Sequence, residues 1–315
     1  MSIAFGTAPD GRFIARVQGG VVEVPGYASL DELLRAPRSE WLEAIGEIAS
    51  TPPHEEAPAM ELPFTVGDYV DFYSSLEHAT FFGRLLRPEG DPLLPNWRRM
   101  PVGYHGRAAT VVVSGTPVRR PVGQTPEFGP TRALDIEVEL GFVVGGQANA
   151  LGEPIPIADA GERIFGVVLL NDWSARDIQR FEQPPLGPFL SKAFATSIGG
   201  WVVPIAALEA ARVRGPRQDP VPLPYLAREE DWNFDIELTA EINGEQVTAT
   251  NSRGLYWSAA QQLAHHIEWS GGAAGRPVRH RHDLGWHDRD GRQPDGDGSP
   301  VPERRRRGPD PRPHR

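Results

Sequence analysis

The sequence contains no cysteine, and of its 32 basic residues only Lys192 is a lysine. The lack of cysteine excludes disulfide bonds, thiolate metal ligands and a cysteine nucleophile. No segment approaches the roughly 18 consecutive apolar residues of a membrane-spanning helix. The N-terminus has neither the basic flank nor the apolar stretch of a secretory signal. These absences predict a cytoplasmic protein that does not contact membranes.

Positive charge is also scarce outside the last segment of the chain. The net charge is −10, although residues 275–315 hold eleven Arg against six Asp and one Glu. The rest of the chain is therefore strongly acidic, and we expect no nucleic acid as a partner. The single lysine predicts a site that arginine cannot fill, because lysine carries a compact charge on a slim stem.

The order of the local patterns predicts two parts. Residues 12–24 predict a hairpin around Gly19 and Gly20, and two amphipathic helices follow with Ser29 and Ser39 as expected N-caps. Residues 1–62 therefore predict a small α+β unit. Beyond it, short apolar strands alternate with Gly- and Pro-rich turns and helices are few, which favours a mixed β (α+β) fold over a doubly wound sheet.

A row of acidic residues stands out in the segment LDIEVEL, residues 134–140. Strict alternation predicts a strand with Asp135, Glu137 and Glu139 on one face. Residues two positions apart in a strand lie about 6.5–7 Å from each other. A solvated strand face explains this pattern, and so does a site for Ca²⁺ or Mg²⁺, which prefer carboxylate oxygens. Asp172, after an apolar strand, and Asp71, between aromatic residues, are further candidates, although each also suits a turn or a cap.

His78 falls in the first turn of a helix that Ser75 is expected to cap. A helix N-terminus disfavours imidazolium, so His78 would stay neutral, as a general base must. A surface role without chemistry fits the same position. The sequence has no G-x-S-x-G elbow and no cysteine, so activated water is a simpler hypothesis than a covalent nucleophile.

Ordered motifs between about residues 64 and 266 resemble the fumarylacetoacetate hydrolase family. The most distinctive are PVGYHGR and NDWSARDIQ. The full set comprises DFYSSLEHAT (71–80), LPNWRRMPVGYHGRAATVVVSGTPVRRPVGQ (94–124), LDIEVEL (134–140), LGEPIPI (151–157), IFGVVLLNDWSARDIQ (164–179), PLGPFLSKAFATSI (185–198), QDPVPLPYL (218–226) and YWSAAQQLAHH (256–266). The resemblance implies a small N-terminal SH3-like barrel unit over residues 1–62. A β-roll or mixed β-sandwich catalytic domain would follow over residues 63–274.

The resemblance also implies a role for each matched residue. The divalent cation, Ca²⁺ or Mg²⁺, would be held by Asp71, Glu137, Glu139 and Asp172, with Lys192 and Thr196 bordering a nearby cation position. His78 would accept the proton of the attacking water, and Lys192, Arg176 and Gln179 would stabilise the oxyanion and the leaving carbanion. The expected substrate contacts are Tyr73, Arg87, Tyr104, Gln179 and Gln183.

The activity implied is hydrolysis of a carbon–carbon bond in a β-diketo acid. Fumarylacetoacetate would give fumarate and acetoacetate in tyrosine and phenylalanine degradation, and the enzyme would be a homodimer. Two alternatives stay open: an acylpyruvate or diketo-acid hydrolase of the same superfamily, and a catalytically silent cation-binding protein. Hydrolysis of fumarylacetoacetate measured against acylpyruvate separates the two hydrolases, and metal binding without turnover would favour the silent protein.

Residues 275–315 do not resemble the family, and their composition predicts disorder. We hypothesise a shift of reading frame, because GC-rich codons for residues 279–285 spell GTGTIS followed by Gly when read one base later. The family carries a GTxSG motif in this region, and a later Glu orients the catalytic histidine. We therefore expect the 315-residue chain to fold poorly or to have reduced activity, and sequencing the gene tests the shift.

Overall fold

The protein is described by a computed structural model that covers residues 3–53, 56–150, 152–227 and 232–266. Within these ranges short strands outnumber helices and form several small sheets, which confirms the mixed α+β class. None of the helices found there is long and apolar enough to cross a membrane. The predictions for residues 275–315 lie outside the described residues.

Eighteen strands and seven α-helices are present in the described ranges. The strands are β1 (Ala4–Thr7), β2 (Phe13–Val17), β3 (Gly20–Glu23), β4 (Val70–Phe72), β5 (Gly103–His105), β6 (Val111–Val113), β7 (Val122–Gln124), β8 (Phe128–Pro130), β9 (Leu134–Asp135), β10 (Val138–Val144), β11 (Ile164–Asp172), β12 (Ser174–Ala175), β13 (Thr196–Ile198), β14 (Val203–Pro204), β15 (Arg212–Val213), β16 (Asn233–Phe234), β17 (Glu237–Ile242) and β18 (Glu245–Asn251). The helices are α1 (Leu30–Arg35), α2 (Arg38–Ala49), α3 (Leu76–Leu86), α4 (Ile157–Ala160), α5 (Arg176–Glu182), α6 (Leu190–Ala193) and α7 (Ala259–His265).

The first fifty residues form an antiparallel sheet in the order β1-β2-β3, followed by α1 and α2. The turn between β2 and β3 has Gly19 at φ 94° and Gly20 at φ 159°, a region of backbone space that favours glycine. The hairpin predicted around these two glycines is confirmed. The SH3-like barrel form of this unit stays a prediction.

The two predicted helix caps differ in outcome. Ser29 caps α1, because its hydroxyl accepts a hydrogen bond from the backbone N–H of Glu32. The cap predicted at Ser39 is wrong: α2 begins at Arg38, and Pro37 is its N-cap residue. Pro37 already has the extended backbone of an N-cap, at φ −60° and ψ 153°, so Ser39 falls inside the first turn.

A five-stranded sheet carries much of the candidate site. Its order is β10-β11-β13-β6, with β14 also paired to β11. All pairs are antiparallel except β13 with β6. The register sets Glu139 opposite Leu170 and Asp172 opposite Thr196. Two candidate carboxylates and the candidate threonine therefore lie at the same end of neighbouring strands.

The single continuous strand expected for LDIEVEL is wrong, although Asp135, Glu137 and Glu139 all line the cleft described below. The segment is split between β9, which pairs with β12, and β10, and Ile136 and Glu137 lie between the two strands. At the break the backbone N–H of Asp172 donates to the carbonyl of Glu137 over 3.1 Å, and the backbone N–H of Glu137 donates to the side chain of Asn171 over 3.2 Å. Consequently Asp135 is 46% exposed, whereas the Glu137 side chain is 11% exposed.

The hydrophobic core has two main parts. One joins the N-terminal sheet and its helices to the five-stranded sheet: the ring of Phe165 on β11 lies 5.6 Å from Phe5 and 5.4 Å from Trp41. The other surrounds the fully buried Trp257 and includes α7, whose N-terminus is closed by a capping box of Ser258 and Gln261. The division predicted at residue 62 stays a prediction.

Candidate metal centre and catalytic cleft

An open cleft of about 1770 Å³ brings the candidate residues together. Twelve of the thirteen line it: Asp71, Tyr73, His78, Arg87, Tyr104, Glu137, Glu139, Arg176, Gln179, Gln183, Lys192 and Thr196. Asp172 does not line the cleft and is 1% exposed. Residues from β4, α3, β10, β11, α5, α6 and β13 therefore meet in one place, although they are up to 125 positions apart in the chain.

Three carboxylates form the cluster best suited to a cation. Oxygen atoms of Asp71, Glu139 and Asp172 all lie within 4.8 Å of one another. Asp71 is held there by the pairing of β4 with β5, which sets it opposite Tyr104. The Tyr104 hydroxyl donates to Asp71 Oδ2 over 2.6 Å. A set of carboxylate oxygens is the donor type that Ca²⁺ and Mg²⁺ prefer.

Glu137, the fourth expected ligand, lies outside this group of three. The ammonium group of Lys192 connects Glu137 to the cluster, because it donates hydrogen bonds to Glu137 Oε2 and to Asp172 Oδ2. Lys192 is 7% exposed and is carried by the short helix α6. The structure thus places the chain's single lysine against two candidate ligands, as the sequence predicts.

The pKa values of the three clustered carboxyl groups are all raised. Burial is the largest cause for each, and the neighbouring carboxylates add to it. Burial raises the pKa of Asp172 to about 7, although Lys192 opposes it, and the pKa of Glu139 lies well above its usual value. The surroundings therefore do not compensate three ionised carboxylates at this place, and a bound divalent cation would favour their ionised forms.

The hydroxyl of Tyr69 adds a second observation in favour of a cation site. This oxygen is buried and makes no hydrogen bond of acceptable geometry with a described residue, although the nearby Thr196 hydroxyl lowers the pKa of Tyr69. Burial is the largest cause that raises the pKa of Tyr69, and Asp71, Asp172 and Glu139 raise it further. A buried polar atom without a partner is costly, and a hydrated cation beside these carboxylates would supply one. The residues therefore fit a divalent cation.

Glu137 has the opposite electrostatics. Burial raises its pKa, but Lys192 and Arg176 outweigh burial and hold the pKa at about 2. Its Oε1 accepts a hydrogen bond from Arg176 Nη2 over 2.7 Å, and His78 Nε2 lies 3.5 Å from the same oxygen. Glu137 is therefore an ionised acceptor shared by one lysine, one arginine and the candidate base.

His78 lies in the first turn of α3, where Ser75 caps the helix by accepting from the His78 backbone N–H over 3.3 Å. Burial lowers the pKa of His78, and Arg176 and Lys192 lower it further, whereas Glu137 raises it. The net shift is downward, which favours the neutral imidazole at pH 7. The predicted cap is confirmed; the neutral histidine stays a prediction, and the lowered pKa, caused chiefly by burial, supports it.

Arg176 opens α5 and is the most heavily bonded side chain of the cleft. Its Nε donates to Asp135 Oδ2 over 2.8 Å, and its Nη1 donates to the Gln179 side chain over 3.0 Å. With the bond to Glu137, all three nitrogen atoms of the guanidinium donate hydrogen bonds. The structure therefore brings Arg176, Gln179, Lys192 and His78 around Glu137, which concentrates positive charge next to the candidate base.

The expected substrate contacts line the cleft, but several are engaged with the protein. The Tyr73 hydroxyl donates to the carbonyl of Ala79 over 3.3 Å, and Arg87 Nη2 donates to the carbonyl of Pro92 over 2.5 Å. Gln183, at the C-cap of α5, uses its backbone N–H to reach the carbonyl of Gln179. Each would have to bind a substrate from these positions.

Tyr69 and Phe82 lie next to the candidate ligands and the candidate base, and they were not among the predicted site residues. Tyr69 precedes Asp71 by two positions in an extended segment, so the two share a face. Phe82 follows His78 by four positions in a helix, which also puts them on one face. Its ring centroid lies 4.7 Å from the His78 ring, and the Arg176 guanidinium lies 4.5 Å from the Phe82 centroid. Period-two and i, i+4 spacing from the candidate ligand and base could have found both.

Comparison with known proteins agrees with the motifs. The family model described as fumarylacetoacetate (FAA) hydrolase, C-terminal, matches residues 69–270. Fumarylacetoacetase of Rattus norvegicus is 50% identical over 253 residues, which cover 76% of this chain and 60% of the rat protein. The Homo sapiens protein of the same name is 51% identical over 225 residues, 67% of this chain and 54% of the human protein. The chain thus spans little more than half the length of these relatives.

The fold is also found in a solved structure of low sequence identity. Fumarylacetoacetate hydrolase from psychrophilic Exiguobacterium antarcticum superposes with a TM-score of 0.55 at 17% identity. The match covers 88% of this chain and 87% of that chain. At this identity the likeness concerns the fold alone, and it supports the mixed α+β architecture.

Proposed function

Because this chain belongs to the fumarylacetoacetate hydrolase family, we propose that it hydrolyses fumarylacetoacetate to fumarate and acetoacetate, a step in tyrosine and phenylalanine degradation. One observation carries the proposal: His78, with a lowered pKa, faces Glu137 at the cleft, beside the cluster of Asp71, Glu139 and Asp172, of which Asp71 and Glu139 line the same cleft. Those groups supply a base, a cation site and positive charge, which are the parts that hydrolysis by activated water needs.

The cation would be Ca²⁺ or Mg²⁺, held by Asp71, Glu139 and Asp172, with Glu137 as the fourth ligand. When bound, such a cation polarises a carbonyl group of the substrate and stabilises negative charge on its oxygen. Thr196 on β13 lies opposite Asp172 on β11 and is 2% exposed. Together with Lys192 it would border the site.

The chain's own residues would perform the proton transfers. His78 would take a proton from the water that adds to the reacting carbonyl, and Glu137 Oε1, 3.5 Å from Nε2, would stabilise the imidazolium that results. The oxyanion would then re-form a carbonyl group as the C–C bond breaks, the electron pair of that bond would leave with the acetoacetate carbon, and the proton held on His78 would protonate this carbanion. Lys192, Arg176 and Gln179 would stabilise the oxyanion and the carbanion. Tyr73, Arg87, Tyr104, Gln179 and Gln183 would bind the substrate.

The test combines an assay with cation binding. Purified protein with added Ca²⁺ or Mg²⁺ should hydrolyse fumarylacetoacetate faster than an acylpyruvate. The loss of diketone absorbance measures both rates. We expect His78→Asn to lower kcat about 10²–10⁴-fold while calorimetric binding of Ca²⁺ persists. Asp71→Asn, Glu139→Gln and Asp172→Asn should each weaken Ca²⁺ binding by at least about tenfold.

Matched controls come from exposed acidic residues remote from the cleft. Asp159 on α4 and Glu43 on α2 are exposed and do not line the cleft. Asp159→Asn and Glu43→Gln should leave both Ca²⁺ binding and kcat unchanged. Ca²⁺ binding with no turnover of fumarylacetoacetate at all, rather than the reduced turnover expected from the altered residues 275–315, would contradict the proposal and indicate a silent cation-binding protein. Faster turnover of the acylpyruvate would reassign the substrate.

Three further features follow from the family and belong to the same proposal. The chain would form a homodimer, act in the cytoplasm and carry an SH3-like barrel in residues 1–62. Light scattering after size exclusion tests the dimer directly: a monomer at working concentrations would contradict it.

A further inference from the structure

Phe82 connects the candidate base to the candidate guanidinium. Its ring centroid lies 4.7 Å from that of His78, with the two planes tilted by 45°. On α5, the guanidinium carbon of Arg176 lies 4.5 Å from the same Phe82 centroid. Phe82 therefore contacts two groups that belong to different elements and that the proposed reaction uses together.

The polar side of the same arrangement converges on one atom. Arg176 Nη2 donates to Glu137 Oε1 over 2.7 Å, and His78 Nε2 lies 3.5 Å from that oxygen. Glu137 and Phe82 thus both link His78 to Arg176, one through a carboxylate oxygen and the other through an aromatic ring. The four side chains form a closed set of contacts.

Hydrogen bonds alone do not fix the two groups. The bonds of Arg176 to Asp135, Glu137 and Gln179 engage the edges of the guanidinium, and they leave its faces to other contacts. Phe82 covers one face. Among the residues that the structure describes, the polar contact of the His78 imidazole is a long one of 3.5 Å to Glu137. Its ring is flanked by Phe82 and, edge-on at 5.4 Å, by Tyr73. Ring packing therefore determines the orientation of the imidazole.

We propose that Phe82 is a positioning residue, which holds the His78 imidazole and the Arg176 guanidinium in a fixed mutual orientation. The role rests on the function proposed above, because it concerns the base and the charge-stabilising group of that reaction. An aromatic face attracts a guanidinium, whereas an aliphatic side chain of similar size would fill the space without that attraction. The contribution of Phe82 is thus orientation at the reacting groups, where small displacements change the rate strongly.

The kinetic test compares Phe82→Leu with the conservative Phe82→Tyr. We expect Phe82→Leu to lower kcat about tenfold and to leave KM within about twofold. Phe82→Tyr keeps the aromatic face and should retain most of kcat. The matched control is Phe128→Leu, because Phe128 on β8 is 78% exposed and does not line the cleft. Equal kcat for Phe82→Leu and Phe128→Leu would overturn the proposal.

A second measurement does not depend on turnover. The ring current of Phe82 shifts the His78 ring-proton resonances in NMR spectra, and a His78→Asn variant identifies them among the nine histidines. Phe82→Leu should move these resonances, whereas Phe128→Leu should leave them in place. Unmoved resonances would overturn the stacked arrangement. Moved resonances in a protein that does not hydrolyse fumarylacetoacetate would contradict the proposed function and leave the stacking intact.

Discussion

At the residue scale, Lys192 is the group on which the cleft depends most. Its ammonium contacts Glu137 and Asp172 and is nearly enclosed. Burial lowers the pKa of Lys192, but Glu137, Asp172 and Asp71 outweigh burial and raise it, so the side chain is a cation at neutral pH. Without it, buried carboxylates would lose their nearest positive charge, which is costly in a region of low polarity.

We expect Lys192→Met to lower the free energy of unfolding by about 3 kcal/mol in the absence of added cations, since removing one partner of a buried pair leaves the other unpaired. Urea denaturation measures the change. Lys192→Arg keeps the charge but carries a wider fork, so it should recover only part of the loss. Arg119→Met is the control, because Arg119 is exposed. A loss no larger than that of Arg119→Met would contradict this assignment.

Asp177 provides a pH-dependent test away from the carboxylate cluster. Burial is the largest single cause and raises its pKa, but hydrogen bonds from Thr131 and from the backbone N–H groups of Arg132 and Ile178 together outweigh burial and lower the pKa from 3.8. A carboxyl whose folded pKa is lowered contributes stability above its unfolded pKa and loses it as the pH falls through the folded value. The network also fastens residues 131–132 to α5, next to Arg176.

We therefore expect Asp177→Asn to lower the free energy of unfolding at pH 7 by roughly 1 kcal/mol, a size suited to a half-buried carboxylate that accepts backbone N–H bonds. The difference from the unmodified protein should shrink below pH 3.8. Urea titrations at neutral and acid pH measure it, with Asp159→Asn as the exposed control. A difference that does not depend on pH would rule out the ionised carboxylate as its cause.

At the element scale, α3 carries His78 and Phe82 and is located by a close contact. A Cβ atom at Gly83 would overlap the carbonyl group of Pro92, so only glycine allows the helix to approach the loop that follows it. The same loop receives the Arg87 guanidinium through the carbonyl of Pro92. The orientation of α3, and with it the position of the candidate base, thus depends on a residue that has no side chain.

We expect Gly83→Ala to destabilise the protein by about 1–3 kcal/mol through overpacking, despite the helix propensity of alanine. Gly46 on α2 is the matched control, since a Cβ atom there would meet nothing within 4 Å. Gly46→Ala should stabilise by about 0.5–1 kcal/mol. Thermal unfolding of both variants measures the contrast, and changes of the same sign would refute the role given to the Gly83 contact.

Elements also show where sequence-based prediction succeeds and fails. The hairpin at Gly19–Gly20 and the cap of α3 at Ser75 were predictable because local backbone and side-chain chemistry determine them. The break in LDIEVEL was not, because it depends on hydrogen bonds between Glu137 and two residues more than thirty positions away: Asn171, which accepts, and Asp172, which donates. Most of the site could be named from ordered motifs, but the separation of Glu137 from the other three carboxylates required the fold.

At the scale of the whole molecule, the N-terminal sheet shares a core with the sheet that carries the site. Phe165 packs against Phe5 on β1 and Trp41 on α2. Local sequence patterns could not predict this contact, because Phe165 is far from both Phe5 and Trp41 in the sequence. A substitution that weakens this shared core should therefore destabilise both the N-terminal sheet and the five-stranded sheet.

We expect Phe165→Ala, which removes a side chain that is 2% exposed, to cost about 3–5 kcal/mol. Hydrogen exchange followed by mass spectrometry should show lower protection in both β1–β3 and β10–β11, by equal free energies. The control Phe128→Ala, at an exposed position, should change neither. Lower protection confined to one of the two sheets would contradict a shared core.

The solitary lysine has a practical consequence for measuring how often the site opens. A protease specific for lysine can cut this chain at one place, between residues 192 and 193. Because Lys192 is enclosed and bonded to two carboxylates, cleavage requires that α6 leave its position. The rate of this single cut therefore reports the free energy of local opening. A cation bound at the cluster should slow it, without any substrate being needed.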